Sequence, residues 1–240
     1  MGRMTARWFT DPAACGPVPI DPEFTGLERA SFEKILAFAH DPANVGHELM
    51  HCLDAQGTLV HATSTGRGSA PITPEMQKAI MVMADGSRLW HNHPTQDSLS
   101  HCDWRCAGTE EQPEILALNE RGSFYVGRIV EWDDRLPELF KWLPRLGRDL
   151  DDHLSSLANE RGLDKSALAD LSKFTGHILN LGLADRISAR YAYRLMSFDK
   201  FLIDRCSELD IVVNGRTFAS EAIDWKLRKL AGSSPNTAGS

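Results

Sequence analysis

The chain has 240 residues, 42% hydrophobic and 25% charged, the composition of an ordinary globular protein of one or two domains. Its formal net charge of -7 and sequence pI of about 5.7 argue against a nucleic-acid groove, which needs a basic face. No run approaches the roughly 18 apolar residues of a membrane span. Arg3 and Arg7 have no apolar stretch behind them to make a signal peptide. The five cysteines (Cys15, Cys52, Cys102, Cys106, Cys206) are an odd set without paired spacing, so reduced thiols and a cytoplasmic location are expected.

Residues 1–26 hold four prolines and little periodicity and read as an irregular arm. Leu27 to His40 carries Phe32, Ile35, Leu36 and Phe38, a helix stopped by Asp41-Pro42. His47 to Leu53 and Thr58 to His61 read as strands around the turn Asp54-Ala55-Gln56-Gly57. His61 to Pro71, rich in Ser, Thr and Gly, reads as a flexible loop. Thr73 and Pro74 then open a helix striped by Met76, Ile80 and Met83 and closed at Gly86. Arg88 to His93 is a short strand stopped by Pro94, and Ser100-x-x-Asp103 has the form of a helix cap. Strands at Ile115 to Leu118 and Ser123 to Val126 flank the turn Asn119 to Gly122. The order describes an α/β domain, a mixed sheet flanked by helices, over about Leu27 to Val130.

Residues 131–230 differ in kind. Leu150, Leu154 and Leu157 mark one helix ended at Gly162, and Leu168, Leu171, Phe174 and Ile178 a second. Ile187, Tyr191, Leu195, Phe198 and Leu202 mark a third. Ile211 to Phe218 reads as a hairpin on Asn214-Gly215, and Ile223, Leu227 and Leu230 as a last helix. The expectation is a mainly α-helical extension with a possible protein partner, followed by a disordered tail over 231–240.

The chemistry concentrates in His91-Asn92-His93-Pro94 and Ser100-x-x-Asp103. On a strand, residues i and i+2 share a face, so His91 and His93 can offer two imidazoles to one ion. Asp103 at the third position of the capped helix can complete a His-His-Asp set, leaving a fourth position open as catalytic zinc requires. Taken singly, the histidines read as an exposed strand face and Ser100 and Asp103 as a helix cap. Together they resemble the core signature of the JAMM (MPN-plus, JAB) metalloprotease family, H-x-H-P, a short loop, then S-x-x-D. The loop is one residue shorter than in the eukaryotic deubiquitinase branch, nearer the bacterial and phage JAB domains. The resemblance covers only residues 27–130. It implies a JAB/MPN-type fold, bound Zn2+, and an upstream strand glutamate as general base, a place that Glu48 fits.

Glu48 also lies in His47-Glu48-Leu49-Met50-His51, literally the H-E-x-x-H zincin motif. That motif needs a helix to put His47 and His51 on one face, and Gly46 and Asp54 to Gly57 oppose one here. On a strand both histidines point away from Glu48 and are bystanders. Ser100 reads as a cap with a second role, donating to a developing oxyanion. Asn92 is expected behind the site, His101 away from the metal, Cys102 and Cys106 as small buried residues, and Trp104 as an apolar anchor. By resemblance the substrate is a peptide or isopeptide bond after the tail of ubiquitin or a ubiquitin-like protein. The alternatives are a non-catalytic JAB interaction module, a zincin using His47 and His51, and a RadC-like role linked to DNA, which the acidic composition disfavours.

Overall fold

The computed structural model describes residues 16–19, 24–64, 72–83, 86–94, 98–108, 113–163 and 165–232. Most of the N-terminal arm, the end of the loop before Pro71, Thr95 to Asp97 and the tail from residue 233 lie outside them. Among the described residues no helix is long and apolar enough to cross a membrane.

Among the described residues seven strands form one mixed sheet: β1 (Gly16–Pro19), β2 (Leu49–Leu53), β3 (Leu59–Ser64), β4 (Arg88–Asn92), β5 (Glu114–Leu118), β6 (Phe124–Ile129) and β7 (Ala189–Arg194). Their order is β1-β7-β6-β5-β4-β2-β3, with β1·β7 and β4·β5 parallel and the remaining pairs antiparallel. Helix α1 (Gly26–His40) covers one face, where Ile35 meets Leu53, Trp90, Leu116 and Phe124. The opposite face carries α2 (Pro74–Val82), α3 (His101–Ala107), α4 (Leu136–Glu160) and α6 (Thr175–Ala184). Helices α5 (Lys165–Ser172), α7 (Ser197–Glu208) and α8 (Ile211–Gly232) complete the helical side.

Local signals account for most of the first half. Thr73 caps α2 ahead of Pro74, and Gly57, at φ 87°, closes the β2–β3 turn through its N–H to Asp54 O. Thr25 and Glu28 add a capping box at α1, a helix start worth roughly 1 kcal/mol.

The second half corrects several expectations. The arm is not wholly irregular, since β1 pairs with β7 at the sheet edge. Pro17 and Pro19 lie two apart, so both missing N–H groups fall on the same side, and an edge strand tolerates that. Ile187, Tyr191 and Leu195 do not mark a helix; residues 189–194 form β7. A four-residue spacing is also a multiple of the strand period, and tertiary pairing with β6 decides between the two. Asn214-Gly215 is no hairpin but lies inside α8, which starts after a left-handed turn at Asp210 (φ 59°). Gly215 is there for contact: a Cβ would fall 2.6 Å from Leu154 Cδ2 on α4. Helix α4 begins at Leu136, far ahead of Leu150, because a buried stripe from Leu139 to Ala158 carries it through Pro144.

A boundary near Val130 therefore does not separate two cores. One apolar cluster runs from Met50 and Leu89 through Trp104 and Leu143 to Ile178, Tyr191 and Ile223. Buried Asp199 on α7 accepts from Asn119 Nδ2 (2.9 Å), Ser123 Oγ (2.5 Å) and Arg121 Nε (2.5 Å), tying the β5–β6 turn to the extension.

On the α1 face, Arg88 donates to Glu28 and lies 3.8 Å from Glu114, whose carboxylate oxygens have no hydrogen-bond partner among the described residues. Burial pushes the Glu114 carboxyl up to about 7, against a partial pull from Arg88 and Arg128. A folded pKa raised above the unfolded one means that the native state holds this proton more tightly. The resulting stability is present below about pH 4.5 and is lost as pH rises to about 7, by at most about 3 kcal/mol. Urea unfolding at pH 5 and pH 8 should show Glu114→Gln gaining on the wild type at the higher pH. An identical pH response in the two proteins would mean that Glu114 ionises freely in the fold.

Candidate metal centre

His91 lies in β4 and His93 one residue past its end, so both rings leave the sheet on the α3 face. Pro94 stops the strand, and the chain returns at Ser98 to start α3. Ser100 caps that helix: its Oγ accepts from Asp103 N (3.2 Å), while Asp103 Oδ2 accepts from Ser100 N (2.6 Å). The reciprocal cap points the Asp103 carboxylate back at the histidine strand. Gly127 in β6 leaves the space that seats this turn, since a Cβ there would fall 2.4 Å from Leu99 Cδ1 and 3.0 Å from the Trp104 ring.

Three side chains converge as a result. His91 Nε2 is 2.8 Å from His93 Nε2 and 3.1 Å from Asp103 Oδ1, and His93 Nε2 is 3.2 Å from Asp103 Oδ2. All three residues are buried. Ligand atoms of a tetrahedral ion at about 2.0–2.1 Å sit about 3.3 Å apart, close to these separations. Two imidazole lone pairs do not approach to 2.8 Å alone; a proton or a cation must lie between them. His93 Nδ1 donates to Ser98 O (2.8 Å), so its Nε2 is left as the lone pair facing the site. His91 Nδ1 has no hydrogen-bond partner among the described residues. Burial opposes charge at Asp103, but the facing imidazoles overcome it and hold the carboxyl well below its ordinary range. Burial likewise opposes a charged His93, and Asp103 with Glu48 behind it raises the ring's pKa. The buried set His91, His93 and Asp103 can hold a metal ion.

Glu48 immediately precedes β2. Met50 pairs with His91 at the end of the β2–β4 ladder, and Glu48, two residues ahead of Met50, is near enough to His93 for its charge to raise the ring's pKa. Asn92 fixes this end of the strand. Its Oδ1 accepts from Leu49 N (2.8 Å) and its Nδ2 donates to His47 O (2.9 Å), clamping the peptide groups on both sides of Glu48. Sequence reasoning placed Asn92 behind the site; the clamp on Glu48 needed the fold.

The H-E-x-x-H segment runs into a strand, not a helix, which removes the zincin arrangement. His51 pairs with Trp90 on the α1 face, and burial drives its pKa down to about 4. His101 is half-buried beside Cys102 Sγ, and Cys102 is exposed rather than buried. Trp104 is buried as expected, but its Nε1 also donates to Asn180 Oδ1 (2.8 Å). Asn180 and Tyr191, both touching Ser98, are contacts of the extension that carried no local signal. No protein-family model, curated protein or solved structure matches the chain.

Next to Ser100, α4 and the α5–α6 junction leave a pocket of about 220 Å³. Leu143, Pro144, Gly147 and Leu179 form apolar wall, and Lys173 also lines it. Gly147 faces open space.

Proposed function

We propose that the chain is a zinc-dependent peptidase of JAMM type, cleaving a peptide or isopeptide bond after the tail of ubiquitin or a ubiquitin-like protein. One observation carries the reading. Two imidazole nitrogens and one carboxylate converge in a buried set, with a second carboxylate residue, Glu48, just ahead of β2 and near enough to His93 for its charge to act on that ring. Three protein ligands are the number that leaves a catalytic position free, whereas structural zinc sites close with four.

Zinc held by His91, His93 and Asp103 would supply Lewis acidity and an activated water near pH 7. Glu48 accepts the proton of the attacking water as its oxygen bonds to the scissile carbonyl carbon. It then returns that proton to the leaving amine as the carbon–nitrogen bond breaks. Ser100 serves both of its roles at once. The cap uses a lone pair of Oγ, and its hydroxyl hydrogen is left to donate to the oxyanion. The neighbouring pocket suits a side chain of the bound tail.

A panel of ubiquitin-like fusions with C-terminal reporters tests the reading, assayed as purified, after a chelator, and after zinc is restored. Cleavage lost on chelation and recovered with zinc is the expected result. A chain that keeps its zinc and cleaves no member would be a JAB-type interaction module instead.

A further inference from the structure

A set of buried polar groups from the C-terminal half meets the loop that follows the histidine strand. Asn180 on α6 donates through Nδ2 to Leu99 O (2.8 Å) and Ser98 Oγ (2.9 Å), and its Oδ1 accepts from Trp104 Nε1 (2.8 Å). Ser98 Oγ lies 2.7 Å from Tyr191 Oη, which lies 2.8 Å from His177 Nδ1. All five side chains are buried. An indole N–H can only donate, which fixes the Asn180 amide with its oxygen toward Trp104. Ser98 Oγ already accepts from Asn180, so its own hydrogen goes to Tyr191, and the Tyr191 hydroxyl donates to His177 Nδ1. Burial keeps that ring neutral, with a pKa near 3, as an acceptor must be. The chain of bonds runs one way, from Trp104 to His177, with each donor paired to an acceptor.

Its near end touches the metal set twice. Ser98 O takes the Nδ1 proton of His93, and Trp104 adjoins Asp103 on the same turn of α3. One carboxamide thus holds both the backbone that orients His93 and the helix turn that carries Asp103. We propose that Asn180 is a positioning residue of the metal centre, through which α6 fixes the Ser98–Leu99 segment and keeps His93 Nε2 aimed at the ion. The proposal rests on the metal reading of His91, His93 and Asp103.

The test is zinc affinity of the folded full chain, by competition with a chromogenic chelator, for wild type, Asn180→Leu, Asn180→Asp, Tyr191→Phe and Ile223→Ala. Asn180→Leu should weaken zinc binding about 10- to 100-fold, the scale of losing an outer-shell partner. Tyr191→Phe removes one bond to the Ser98 side chain and leaves the Asn180 bonds to Leu99 O and Trp104 in place, so it should cost only a few-fold. Ile223→Ala removes buried volume from α8 without touching the network, so it should lose stability but not zinc affinity. If Asn180→Leu does not fold, Asn180→Asp gives the same test, since it keeps the acceptor for Trp104 and loses the donor to Leu99 O. A folded Asn180 variant that binds zinc as the wild type does, or an Ile223→Ala protein equally weakened, overturns the assignment. A wild type without zinc affinity overturns the metal reading, and this proposal with it.

Discussion

Glu48→Gln is expected to keep one zinc per chain and an unchanged fold while turnover falls about 100- to 10,000-fold. The change removes the proton acceptor and preserves shape. The backbone on both sides of Glu48 is clamped by Asn92, which donates to His47 O and accepts from Leu49 N. The glutamine should therefore occupy the same place near His93, just ahead of β2. Turnover and zinc content of the purified variant decide the matter. Near wild-type turnover would remove Glu48 as the base, and loss of zinc would make it a ligand or a prop for one.

The second large effect separates two sets of histidines. His91→Ala, His93→Ala and Asp103→Ala should each lose zinc affinity by well over the 10- to 100-fold typical of an outer-shell change. Each removes one of the three ligand atoms that converge among the described residues. Asp103→Asn helps to read the last of them, because an amide keeps an acceptor for Ser100 N while losing the charge. His47→Ala and His51→Ala should bind zinc as the wild type does. His51 lies on the opposite face of the sheet, neutral and packed toward α1, so its loss is a packing defect. Zinc per chain across these variants reads the difference, and loss in the His47 and His51 proteins would speak for a rearranged H-E-x-x-H site.

The candidate site was legible in the sequence because its signals are local. Period-2 geometry puts His91 and His93 on one face, and the capping box alone aims Asp103 back at them. Glu48 drew notice only through motifs, the JAMM resemblance and the H-E-x-x-H segment, since a lone glutamate at a strand's edge carries no signal of its own. Asn180 and Tyr191 were invisible for a different reason. Their contacts span 81 and 93 residues along the chain, and a buried amide or phenol matters only where the chain folds back. The fold divides the same way. Turn and cap chemistry marked the first half, where Thr73-Pro74 and Asp54 to Gly57 state their structure outright. In the second half β7 was hidden by a four-residue spacing common to helix and strand. Asn214-Gly215, a strong hairpin pair, was overruled by packing of α8 against Leu154 and Ile178.

Zinc-edge X-ray absorption on the purified full chain tests the central claim most directly, because it reads the ligand atoms themselves. The expected spectrum has about four first-shell nitrogen or oxygen neighbours near 2.0–2.1 Å, two of them with the outer-shell scattering of imidazole, and no sulfur. His91→Ala should abolish it or leave one imidazole. A sulfur shell near 2.3 Å would implicate cysteines such as Cys102 and Cys106, and a zinc-free protein that cannot be loaded would leave the buried triad a proton-sharing cluster. Either result would contradict the metal centre on which the proposed function stands.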